Sequence, residues 1–349
     1  MYGTLIPMKF HLHPLFFALF LSTLAACTPK SVDGPKVTVL TYSSLGSRGG
    51  YLESIQKDFK AKSACDLKIE TTLGAAQILS YLEEPKQRQR IDLVMGIDEL
   101  LYERARNYLY ISPVASANLN LNFVEALRGR TPLGFYPIDY GALTFIYNKE
   151  EVKKKKIKVP STLKDFLKPE MKHNFIVQDP RVSSPGLLFF LFSESVLKIS
   201  ELKKQWLTLA PSWDSSYKMF LQKDAPFVWS YLTSFAYHAS KHEEKSYGYV
   251  DFKEGLPLQV EGLALVNRIG NPFQENPCDE KFIQYVLSNE GQTRLVEKQW
   301  MMPSIKDVPL PELFKSVPPV KKVASIPLQV DHVDQFISKF ARDLQGDSF

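Results

Sequence analysis

The chain has 349 residues, 44% hydrophobic and 12% aromatic, with 43 basic against 38 acidic side chains and a formal charge of +5. At roughly 150 residues per domain this length predicts two compact units, each able to bury a core without metal or disulfide staples. Its 17 Gly and 3 Cys exclude a collagen-like chain and a disulfide scaffold, and so small a charge gives no basic face for nucleic acid. The one dense basic run, Lys153–Lys156 with Lys158, reads as a solvated helix or loop.

From Met8 the chain reads Met-Lys-Phe-His-Leu-His-Pro, then an apolar run over Leu15–Leu21, then Leu24-Ala25-Ala26-Cys27. A short basic start, a brief apolar stretch and small residues before a cut describe a secretory signal. The apolar run is shorter than the roughly 20 residues that span a bilayer. Leu-Ala-Ala-Cys resembles a bacterial lipobox, so Cys27 is expected to carry lipid and to open the mature chain. Residues 1–26 are then signal and 27–36 a tether, with Met8 as an alternative start to Met1. The expected location is the periplasm or cell surface, held at a membrane through Cys27. Thr28 in the next position fits the outer membrane of a two-membrane bacterium or simple retention in a one-membrane organism. Cys65 and Cys278 remain, in an oxidising compartment where a disulfide and two buried thiols are both open.

Val37–Tyr42 reads as a β-branched strand, Ser43–Gly50 as a Ser/Gly-rich loop, and Leu52, Ile55 and Phe59 as one face of a helix. A second strand at Leu67–Glu70, a helix over Ala75–Glu84 and an apolar strand at Ile91–Met95 ending at Gly96 complete a β-α-β-α-β order. That order predicts a mostly parallel sheet flanked by helices, with ligands beyond the C-terminal strand ends. Strands at Leu143–Tyr147, Phe175–Val177 and Phe227–Tyr231 make a second α/β unit. Ser184-Pro185 predicts a helix start, Ser as N-cap and Pro in the first position, running from Leu187 to Leu197. Leu258–Val266 is expected to cross back to the first unit. Val333, Phe336, Ile337, Phe340, Ala341 and Leu344 line one face of a docking helix starting near Asp331.

HExxH, GxxxxGK[ST] and GxSxG are all absent. His238 and His242, four apart, would share a helix face, but without a third ligand they make a weak zinc signal. The aromatics say more: Trp213, Tyr217, Trp229, Tyr231, Tyr237 and Trp300 fall at turns and strand ends, which suits a planar or cationic ligand held by stacking and cation–π contacts.

Five segments carry a resemblance: Tyr140-Gly141 within Phe135–Tyr147; Asp179-Pro180-Arg181 to Pro185-Gly186-Leu187; Trp213 with Tyr217; Ser230-Tyr231 with Ala236-Tyr237-His238; and Trp300-Met301-Met302-Pro303. Over about Val37 to Val308 the chain resembles solute-binding proteins of ABC importers, and among them the periplasmic thiamine-binding family. The resemblance implies an α/β, two-lobed type 2 periplasmic binding protein fold, each lobe a mostly parallel sheet with flanking helices and the ligand cleft between lobes. The expected divisions are 37–142 for the first lobe, 143–257 for the second, and 258–349 for the return with its C-terminal helix.

By the same resemblance, Trp213, Tyr231, Tyr237 and Trp300 enclose thiamine. Ser183 and Ser184 meet its hydroxyethyl tail or phosphate, Thr233 and Ser234 form the loop after Tyr231, and Gly74 lets backbone approach the ligand. Asp139 is either structural or offsets the thiazolium charge. The chain departs from the pattern where an Asp is replaced by Ser43, a Trp by Gly49 and another Asp by Leu73, so the first lobe loses charge and aromatic surface. The implied activity is binding rather than catalysis, with no cofactor and no metal. The implied partners are thiamine, its monophosphate or diphosphate, the permease and ATPase subunits and, through the lipid, a membrane. A monomer is expected. The competing readings are a polyamine or ferric-ion carrier (Tyr247 with Tyr249 as the basis for iron), a sensor lipoprotein of the same fold, and a metal-dependent envelope enzyme.

Overall fold

The apolar, β-branched run near the start of the chain forms β1 (Lys36–Tyr42), with Val37, Val39 and Leu40 fully buried. The computed structural model describes residues 3, 34–110, 122–127, 130, 132–194, 196–268, 276–326 and 330–345. The signal-like segment, Cys27 and most of the tether lie outside the described residues. β1 pairs in parallel with β2 (Asp66–Thr72) and with β3 (Leu93–Asp98). The Ser43–Gly50 stretch is not all loop, since Ser43–Gly46 closes one helical turn before the helix Tyr51–Ser63. β3 also runs beyond the expected end at Gly96. That glycine holds φ +80, and a Cβ there would meet the Tyr42 ring at 2.4 Å, so the strand continues because the position has no side chain.

The remaining strands are β4 (Leu109–Tyr110), β5 (Tyr136–Asn148), β6 (Phe175–Gln178), β7 (Thr208–Ala210), β8 (Phe227–Tyr231), β9 (Tyr247–Tyr249), β10 (Leu258–Val266) and β11 (Met302–Pro303). Among the described residues they form one sheet in the order β2-β1-β3-β10-β5-β8-β6-β7, with β4 on β10 and both β9 and β11 on β5. β5 is the shared strand. Its first half, to Ala142, pairs antiparallel with β10, and from Leu143 onward it pairs antiparallel with β8. The strand expected at Leu143–Tyr147 is thus the second half of a longer one.

The second half of the sheet is built around aromatics. Phe145 stacks on Phe166 at 4.3 Å and meets Trp229 edge-on at 5.2 Å. The helix Ser184–Ser193 is buried along its whole length, and the Trp229 indole N–H donates to the Pro185 carbonyl at 2.9 Å, fixing its first turn. Each fully buried Phe here is worth roughly 2–3 kcal/mol of transfer free energy. The N-cap of this helix is Ser183, not Ser184: its hydroxyl accepts from the Gly186 N–H, which leaves Ser184 and Pro185 as the first two helical residues. Cys65 and Cys278 are joined in a disulfide that ties the start of β2 to the helix Pro277–Val286 across 213 residues.

The C-terminal helix Val330–Gln345 buries Val333, Phe336 and Phe340. Phe340 packs on Phe190 of the second lobe at 4.8 Å, while Asp334 is ion-paired with Arg104 of the helix Glu99–Ala105 in the first. It touches both lobes.

Candidate functional site

Polar loops at the C-terminal ends of β1, β2, β6, β7 and β8 converge on one cavity of about 470 Å³, within the range that holds small ligands. The first lobe contributes Tyr42, Ser43 and Leu73–Ala75. The second contributes Ser183–Pro185, Trp213, Asp214, Tyr217, Tyr231, Thr233, Ser234 and Tyr237. Trp300 and Met301 close the wall from the return segment. Of the residues that the resemblance assigned to the ligand, only Asp139 is not on these walls; Trp229, named with the aromatics, is fully buried and does not reach them either.

The rings form a chain. Trp213 stacks on Tyr217 at 4.9 Å and 18°, Tyr217 meets Tyr237 edge-on at 6.1 Å, and Tyr237 meets Trp300 edge-on at 6.1 Å. Tyr231 lies tilted 6.5 Å from Trp213. Trp213 is the first residue of the helix Trp213–Leu221, capped by Ser212, whose hydroxyl accepts from Ser215 N–H. Its indole N–H donates to Ser230 Oγ at 2.9 Å, and Ser230 in turn shares a hydrogen bond with Ser234. The ring plane is therefore fixed from both ends. Trp300 holds φ +57 as the left-handed cap after the helix Asn289–Gln299, a conformation costly for a large side chain, and it sends the chain back toward β11.

His238 and His242 do not share a helix face. The helix Ser234–Ala239 ends before His242, which has φ +58. His238 is fully buried, stacks on Tyr247 at 3.5 Å, and its Nε2 is 2.8 Å from the Tyr217 hydroxyl. Burial lowers it to about 4, so it is a neutral support for Tyr217. Tyr247 and Tyr249 pack against His238 and Phe235 and are not on the cavity wall. Among the described residues no group of three or more His, Cys, Asp or Glu could hold a metal ion.

The structure alters what can be asked of Asp139. It lies on β5 with 1% exposure, and neither carboxylate oxygen has a hydrogen-bond partner. Burial, then the neighbouring Glu261, raises it well above the carboxylate range, and it is not on the cavity wall. Glu261, its cross-strand neighbour on β10, does reach the cavity. The Tyr42 hydroxyl donates to Glu261 Oε2 at 2.6 Å and the Tyr231 hydroxyl to Oε1 at 3.2 Å. Tyr42, Asp214 and Glu261 are wall residues that the sequence reading missed. The available signal for Glu261 was a lone acid within the apolar run Val260-Glu261-Gly262-Leu263.

Gly74 does admit a close backbone approach, but the partner is Val182 of the second lobe. A Cβ at Gly74 would lie 2.5 Å from the Val182 carbonyl oxygen, which accepts from Ala76 N–H at 3.2 Å. Ser43 makes a second bridge, its hydroxyl lying 3.3 Å from Asp214 Oδ2. Leu73 is 49% exposed at the rim.

Residues 90–326 match the family model of the bacterial extracellular solute-binding proteins. The chain belongs to this family. The solute-binding protein is 30% identical over 304 residues to the thiamine-binding periplasmic protein of Salmonella typhimurium, covering 85% of this chain and 89% of that one. It is 28% identical over 324 residues to the thiamine-binding periplasmic protein of Brucella abortus, covering 90% and 92%. Its fold superposes on a solved periplasmic thiamin-binding protein with a TM-score of 0.75 at 27% identity, over 89% of this chain and 96% of the other. The fold is thus the two-lobed type 2 architecture. The relatives bind solutes and are not enzymes, so the role of this chain is solute binding in transport.

Proposed function

We propose that this solute-binding protein captures thiamine or one of its phosphates in the cleft between its lobes and delivers it to the permease and ATPase of an ABC importer. The observation that carries the reading is the run of rings from Trp300 through Tyr237, Tyr217 and Trp213 to Tyr231 around a single cavity. A thiazolium cation over such faces gains cation–π attraction, and the aminopyrimidine gains stacking. Ser183 and Ser184 at a helix start suit the hydroxyethyl tail. Arg48, Lys218 and Lys298 add positive charge to the wall, which suits a phosphorylated form. The ligand meets the ring-rich second lobe first, and closure about β5 and β10 then buries it. Lipid on Cys27 keeps the protein at the membrane, outside the cytoplasm, as a monomer.

The test is isothermal titration of thiamine, its monophosphate and its diphosphate into the soluble chain from Thr28 onward. Submicromolar affinity for at least one is expected, with Trp213→Ala and Tyr231→Ala each weakening it by about tenfold or more. No heat with any of the three overturns the ligand assignment.

A further inference from the structure

We propose that Glu261 is the residue by which this cleft selects a positively charged ligand over a neutral one of the same shape, capture of the cation releasing the proton that Glu261 otherwise holds. The proposal deepens the reading above and rests on the same cavity.

Glu261 is 5% exposed yet forms part of the cavity wall. The groups facing it come from four strands: Tyr42 from β1, Asp98 from β3, Asp139 from β5 and Tyr231 from β8. Gln259 on its own strand competes for the Tyr231 hydroxyl at 3.2 Å and donates to Asp98 at 3.4 Å. Each of these groups is neutral or acidic. Among the described residues no Lys, Arg or His is paired with Glu261 or Asp139. A buried carboxylate without a cationic partner is costly; Arg48, Lys218 and Lys298 share the cavity wall but none is paired with Glu261, so a ligand cation is the partner that can reach it.

Two adjoining buried carboxyls do not ionise together. Burial raises Glu261 to about 7, and burial together with the neighbouring Glu261 raises Asp139 well above the carboxylate range. Near neutral pH the Glu261 site is therefore divided between its protonated and ionised forms. A cation in the cavity favours the ionised form and expels the proton, and by linkage its affinity rises with pH through about 7. A neutral ligand gains nothing from that ionisation.

The experiment compares 4-methyl-5-(2-hydroxyethyl)thiazole, which is neutral, with its N-methylthiazolium cation and with thiamine. Each is titrated at pH 6, 7 and 8 in phosphate and in Tris, whose ionisation enthalpies differ. The wild-type protein should prefer the thiazolium over the thiazole by about tenfold or more at pH 8 and release about half a proton on binding at pH 7. Glu261→Gln, checked for native near-UV circular dichroism, should bind the two alike and release no proton. An undiminished preference in a folded Glu261→Gln protein, or wild-type affinity that is flat from pH 6 to 8, overturns the proposal. If thiamine fails to bind while the Glu261-dependent preference holds, the ligand assignment falls and this inference stands.

Discussion

The Val182 carbonyl oxygen occupies the space that a side chain at Gly74 would fill, so the two lobes meet there backbone to backbone. The Ala76 N–H closes the contact with a hydrogen bond to the same oxygen. Gly74→Ala would put a Cβ 2.5 Å from backbone, which cannot step aside as a flexible side chain can. The lobes must then stand further apart. Affinity is expected to fall about tenfold or more, because the closed state becomes the minor one, while the unfolding temperature barely moves. Titration together with small-angle scattering of the ligand-saturated variant checks this, and unchanged affinity with an unchanged radius of gyration would remove Gly74 from the closing contact.

Trp300 joins a backbone conformation suited to glycine to a ring that borders the cavity. The two roles separate by substitution. Trp300→Gly and Trp300→Ala should lose similar ligand affinity, since both delete the ring. The glycine variant should nonetheless be more stable than the alanine variant by about 1–2 kcal/mol, the cost of a left-handed residue with a Cβ. Denaturant melts of the two, run beside ligand titrations, give the comparison. Equal stabilities would mean that the helix end relaxes out of the left-handed region once the indole is gone.

Local patterns were legible where an apolar run was bounded by polar residues. Phe227–Tyr231 and Leu258–Val266 are strands over those same residues. The full length of β5 was not legible, because Tyr136–Asn148 becomes one strand only by pairing with β10 along one half and β8 along the other, partners far away in the chain. The wall residues that the resemblance named were found from motifs. Glu261 was not, since its place on the cavity depends on a cross-strand register that no local window contains. Asp139 and Glu261 look alike in sequence, each a lone acid in an apolar strand, and they are paired across the sheet, so only the shape of the folded cavity, whose wall includes Glu261 and not Asp139, tells them apart. The N-cap moved from Ser184 to Ser183 because proline is tolerated at either of the first two helical positions, so the dipeptide alone does not set the boundary.

The Cys65–Cys278 bond closes a loop of 213 residues within the first half of the sheet and its return helices. Loops of this length gain most from restricting the unfolded chain, so a serine pair at both positions should cost about 2–4 kcal/mol. Ligand affinity should stay within about twofold, because neither cysteine borders the cavity. Chemical denaturation with and without reductant measures the first quantity and titration the second. A stability change below about 0.5 kcal/mol would show that the bond is dispensable to the fold.

His238 supports Tyr217 through its Nε2, and its burial lowers it from an ordinary 6.5 to about 4. As pH falls from 6.5 toward 4 the unfolded chain takes up a proton that the folded one refuses, so stability is lost across that window and levels off below it. The shift corresponds to about 3 kcal/mol at its full extent. Glu261 acts in the opposite sense: raised to about 7, it makes stability fall as pH rises from about 4.5 to about 7. The informative comparison is therefore between the wild type and His238→Gln, both retaining Glu261. The variant should be less stable than the wild type at pH 7.5, having lost the imidazole's stacking on Tyr247, and the gap should narrow as the pH is lowered to 4. Urea melts at intervals of half a pH unit would resolve the two curves, and parallel curves across the whole range would mean that His238 titrates alike in both states.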